Sequence, residues 1–65
     1  MLGVRIAALR REAKFSQREL AQRLNISPST VGMYEQGRRE PSINMLAAIA
    51  YELHVTIDYL VLGCP

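Results

Sequence analysis

The 65-residue chain has one cysteine, Cys64, and one histidine, His54. A single cysteine excludes an internal disulfide and fits a reducing compartment. One cysteine with one histidine at no ordinary ligand spacing excludes a zinc site. A charged leader followed by an apolar stretch is also missing, so no signal peptide is expected. The apolar runs fall well short of the ~20 residues that span a bilayer. Strand signals are lacking too: no alternating β-branched run is bounded by turn residues. No repeat or low-complexity segment is present. The expectation is one small cytoplasmic domain over residues 1–65, without cofactor, metal or membrane partner. A chain this short buries only roughly 60% of the surface its unfolded state exposes, so its core must be efficient.

Basic residues are absent after Arg39. Residues 1–39 hold all eight bases against Glu12, Glu19 and Glu35, a surplus of +5. Residues 40–65 hold Glu40, Glu52 and Asp58 and no base, a balance of −3. Such asymmetry suggests that one end faces an anion.

Helical spacing runs throughout. The first helix is predicted from about Leu2 to Lys14, with Leu2, Ile6, Leu9 and Ala13 as its apolar stripe and Gly3 weakening its first turn. Ser16 opens a second helix through the capping box "SQRE", and Phe15 can staple onto Leu20. Leu20, Ala21 and Leu24 face inward, and Asn25 is the stop. Ser27 opens a third helix with Pro28 at its first position. A fourth spans about Ser42 to Leu53, with Leu46, Ile49, Ala50 and Leu53 inward. A fifth is capped by Thr56, carries Asp58 near its positive end and stops at Gly63. The fold class is therefore all-α: five short helices around one small core.

Two helices joined through a turn of about three residues cross steeply, and Ala21 provides the small side chain that such a crossing needs. On a wheel of ~100° per residue, the third helix turns Val31, Tyr34 and Glu35 one way. Ser29, Gly32, Met33 and Gln36 face the other. That face is small and uncharged, as if something large were to lie against it.

The stretch from Gln17 to Gln36 resembles the helix-turn-helix of the Cro/C1-type (Xre-like) DNA-binding family of phage and bacterial repressors. The matching segments are "SQRELAQRLNIS", "STVGMYEQGRREPS" and "LHVTIDYLVLG". With "RIAALRREAKFSQ" upstream, the likeness covers nearly the whole chain. Asn25 stands where glycine is more usual. The resemblance implies a lambda-repressor-like fold, with the third helix in the major groove of double-stranded DNA. Pro28, Ser29, Thr30 and Met33 then become the base-contacting residues. Gln17, Ser27, Gln36, Arg38, Arg39 and Arg10 become phosphate contacts, and Arg10 with Glu35 an ion pair joining the first helix to the third. Relatives with long amides on this face read bases bidentately. Hydroxyls and Met33 read less, so DNA shape is expected to supply part of the specificity.

Structural alternatives stand beside these roles. Ser27 can serve purely as an N-cap, and Arg10 and Glu35 can be two solvated side chains. Arg5, Arg11, Lys14 and Arg18 read as ordinary surface charge, Arg23 as either. His54 reads as a surface residue near the end of the fourth helix, and Cys64 as idle. In "YLVLG", a one-turn helix can bury only part of four successive apolar residues. Tyr59, Val61 and Leu62 are thus the candidate dimer contact. No nucleophile–base–acid set is suggested, and the core is too small to enclose a substrate. The expected function is a sequence-specific DNA-binding repressor, bacterial or phage-encoded, acting as a homodimer on a palindromic operator. The alternatives are an antitoxin whose partner is a toxin or other regulatory protein, and an interaction module that has lost DNA binding. The DNA-binding part of a longer repressor would carry the same signals.

Overall fold

The computed structural model describes residues 1–63; the expectation for Cys64 lies outside them. Five helices follow in order: α1 Leu2–Glu12, α2 Gln17–Leu24, α3 Pro28–Gln36, α4 Ile43–Leu53 and α5 Ile57–Leu62. Each gives one large side chain to the sealed centre: Ile6, Leu20, Val31, Ile49 and Leu60 are all at most 1% exposed. α3 packs against α1 and α2, α4 against α2, and α5 against α1 and α4. Among the described residues no helix is long and apolar enough to cross a membrane.

Every start except that of α1 has a hydroxyl cap. Ser16, Ser27, Ser42 and Thr56 accept from the backbone N–H three residues on, each satisfying a donor the helix leaves open. At Ser16 the box is reciprocal: Glu19 N–H donates to Ser16 Oγ over 3.0 Å and Ser16 N–H to Glu19 Oε1 over 2.7 Å. The Ser16 backbone bond, then its hydroxyl, hold the Glu19 carboxyl below its ordinary value. A lowered folded value means that this contribution is complete above the unfolded value and fades as pH falls through the folded one.

The stops are less regular than the starts. Asn25, Gly37 and Gly63 are left-handed, and so are Lys14 and His54, at φ 65° and 58°. After four of these residues the chain turns back on its helix: Phe15, Ile26, Arg38 and Val55 N–H donate to the carbonyls five residues earlier, closing Schellman turns. This corrects the predicted end of α1. The helix stops at Glu12, and Ala13 is exposed while Ala7 is buried. The turn at Lys14 brings Phe15 against the core, so Ala13 is rotated outward.

Gly3 is required by packing rather than merely tolerated. A Cβ there would stand 2.5 Å from both the Tyr34 and Glu35 carbonyl oxygens. The first turn of α1 thus lies directly on the last turn of α3.

Two arginines read as surface charge, or left open, also hold the fold. Arg5 Nη1 donates to the Leu60 and Val61 carbonyls over 3.3 and 3.4 Å, closing the C-terminus of α5 from 55 residues away in sequence. Arg23 lies 4.8 Å from the centre of the Phe15 ring and 3.6 Å from Glu52, tying α2 to α4.

Candidate nucleic-acid interface

α2 and α3 are separated by three residues, Asn25 to Ser27. Asn25 adopts φ 58° and ψ 42°, and Ile26 N–H reaches back to the Ala21 carbonyl over 3.0 Å. Ala21 is 1% exposed, and its small side chain lets the two helices close on each other.

α3 divides as the wheel predicts. Val31 and Tyr34 are buried, whereas Pro28, Ser29 and Gln36 are exposed, with Thr30, Gly32 and Met33 half-buried at the margins. The only charge on this helix is Glu35, and its side chain is 7% exposed. The outward face is therefore neutral as well as small. At its start Ser27 Oγ takes the Thr30 N–H over 3.2 Å and lies 2.8 Å from Thr30 Oγ1 and 3.1 Å from Ser29 Oγ. The cap and the outward face share one cluster of hydroxyls.

A buried ion pair fixes this helix. Arg10 Nε donates to Glu35 Oε2 over 2.6 Å and Nη2 to Oε1 over 3.2 Å, while Nη1 donates to the Phe15 carbonyl over 2.8 Å. Gln17 Nε2 adds a 2.9 Å bond to Glu35 Oε1. One carboxylate thus joins α1, α2 and α3. Arg10 is 8% exposed, and three of its five N–H donors are committed inside the protein. Gln17, Ser27, Gln36, Arg38 and Arg39 are all exposed. The Gln17 amide lies along the outward face, 3.8–3.9 Å from where a Cβ on Gly32 would stand.

On α5, Leu60 is buried while Tyr59 is half-buried, Val61 is 38% exposed and Leu62 69%. His54 is exposed at the left-handed stop of α4. Among the described residues no group of three metal-ligating side chains converges.

The sequence profile of the helix-turn-helix family matches residues 6–60. The chain belongs to the helix-turn-helix family. Its α2 and α3 are the two helices of the motif, in agreement with the Cro/C1-type resemblance. A similar protein is the immunity repressor of Bacillus phage phi105, 37% identical over 60 residues, which cover 92% of this chain and 42% of that one. The chain spans about half the length of the curated relatives it matches. Among solved helix-turn-helix structures, the P22 c2 repressor in complex with a synthetic operator superposes with a TM-score of 0.92. It is 30% identical, over 98% of this chain and 97% of that one. SinR, a master regulator for biofilm formation solved with DNA, gives 0.86 at 31% identity, over 94% and 98%. SinR is also known in complex with SinI. The fold is thus the lambda-repressor-like helix-turn-helix fold.

Proposed function

We propose that the protein binds double-stranded DNA sequence-specifically through α3 and acts as a transcriptional repressor. The observation that carries this reading is the outward face of α3. It is neutral and small, and its helix is locked from behind by Arg10 and Glu35. The operator complex of the P22 c2 repressor supports it. α3 lies in the major groove with Pro28, Ser29, Thr30 and Met33 toward base edges. Ser29 and Thr30 offer hydroxyls, and Met33 offers an apolar surface for a thymine methyl. Gln17 retains a second amide N–H for a phosphate, and Ser27, Gln36, Arg38 and Arg39 flank the same surface. Phosphate contacts set the register and base contacts set the preference. Two copies pair through Tyr59, Val61 and Leu62, whose exposed apolar surface suits a protein contact. A second reading adds a regulatory protein partner, supported by the SinR–SinI complex.

Gly32 separates fold from function. Nothing in the fold requires it: an added Cβ would meet only the Gln17 amide, at ordinary contact distance, and glycine within a helix is about 1 kcal/mol worse than alanine. Gly32→Ala is therefore expected to stabilise the protein by up to about 1 kcal/mol. The same methyl intrudes on the face that DNA approaches, so duplex affinity is expected to fall about tenfold, the equivalent of ~1.4 kcal/mol. Thermal unfolding and duplex titration of the one variant check both. Unchanged affinity with raised stability would place the DNA-reading face elsewhere.

A further inference from the structure

We propose that the open cleft between α1 and α3 is a phosphodiester seat on the DNA-facing surface, with Arg11 as its cation. The proposal rests on the reading of the protein as a duplex-DNA binder and adds a cation, Arg11, to the Gln17 and Gln36 phosphate contacts of that reading. It starts from how the cations divide. Arg5, Arg10 and Arg23 are engaged within the fold. Arg11 is exposed and its side chain makes no hydrogen bond or ion pair among the described residues. The neighbouring Arg10 points into the core, and one step of ~100° round the helix carries Arg11 to the open side.

The cleft there is about 350 Å³ and is lined by Val4, Ala7, Arg11, Gln17, Glu35 and Gln36. The chemistry of this lining suits a phosphodiester. Arg11 supplies a planar, permanently charged donor fork that matches phosphate oxygens. Gln17 and Gln36 supply neutral amide donors from the other wall. Val4, 63% exposed, gives the rim an apolar surface for a deoxyribose. The one acid in the lining does not oppose an anion, because both Glu35 oxygens already accept from Arg10 and one also from Gln17. Location supports the assignment as well. Gln17 borders Gly32, and Gln36 belongs both to this cleft and to the outward face of α3. A duplex lying on α3 would carry its backbone past Arg11. The cleft is open and polar, unlike the enclosed apolar pockets that hold small ligands.

The test is duplex affinity as a function of salt for the wild type, Arg11→Gln, Arg11→Lys and Lys14→Gln. Lys14 is also an exposed cation but does not line the cleft. Each neutralised phosphate adds about 0.9 to the slope of log affinity against log salt. Arg11→Gln is expected to lower that slope by about one unit and to weaken specific and random duplexes by the same factor. Arg11→Lys should restore most of the slope, and Lys14→Gln should leave it unchanged. Replacing single phosphates by neutral methylphosphonates should reveal one position whose penalty disappears in Arg11→Gln. If the wild type binds duplex with a clear salt slope and Arg11→Gln keeps that slope, the cleft is not a phosphate seat and DNA binding stands. If the wild type shows no salt-dependent duplex binding, the DNA reading and this site fall together.

Discussion

Glu35→Ala is expected to cost the fold about 3–5 kcal/mol, because it strands one member of a buried ion pair. The Arg10 side chain is 9% exposed and that of Glu35 7%, so water does little to screen either. After the substitution Arg10 retains only the Phe15 carbonyl, and its guanidinium cannot give up a proton. Arg10→Ala is expected to be the milder change, since Glu35 keeps its bond from Gln17. A chain of this length has only about 3–10 kcal/mol of stability in total, so Glu35→Ala should populate the unfolded state visibly at room temperature. Denaturant unfolding of both single variants and the double variant measures the coupling, expected at about 1–3 kcal/mol. Additive single effects would mean that the two groups hold α3 independently. Gln17 bonds the same carboxylate and lies beside Gly32 on the outward face, so duplex affinity should fall even where the variant remains folded.

The second large effect is expected at Gly3. Alanine normally gains about 1 kcal/mol over glycine in a helix. Here its methyl would stand 2.5 Å from two backbone carbonyl oxygens of α3. Backbone cannot rotate away as a side chain can, so α1 and α3 must separate. Overpacking of this kind costs about 1–3 kcal/mol, and each kcal/mol lowers Tm by about 4–8 °C in a domain this small. Gly3→Ala should therefore lose stability while Gly32→Ala gains it. Thermal unfolding of the pair checks the contrast. Equal gains at both positions would show that α1 does not lie on α3 as described.

The contrast between the two glycines shows which parts of the molecule were legible in the sequence. Helix starts were: Ser16, Ser27 and Thr56 were read as openings and cap as expected, and Ser42, read as the first residue of the fourth helix, caps it. Periodicity also gave the two faces of α3, since a helix wheel needs no knowledge of the rest of the fold. The end of the fourth helix at Leu53 was legible too, but the left-handed turns at Lys14 and His54 were not. Lysine does not favour the left-handed conformation and histidine adopts it only in a minority of cases; both hold it where Phe15 and Val55 turn back onto the core. Gly3 looked like a weak helix residue because its reason lies on a helix more than thirty residues away. Arg5 looked like surface charge because the carbonyls it closes are at the other end of the chain. The family pattern suggested Arg10 both as an ion-pair partner and as a phosphate contact. The ion pair forms in the structure, with most of the Arg10 side chain turned inward.

Selection of bound sites from a random duplex pool by the wild-type protein tests the central claim most directly. The expected result is enrichment of a two-fold-symmetric site whose half-sites lie about one turn of DNA apart, ~34 Å. Affinity for that site should exceed that for random duplex by at least about a thousandfold. Recovery of no preferred sequence over repeated rounds, with affinity equal for every duplex, would contradict sequence-specific recognition through α3.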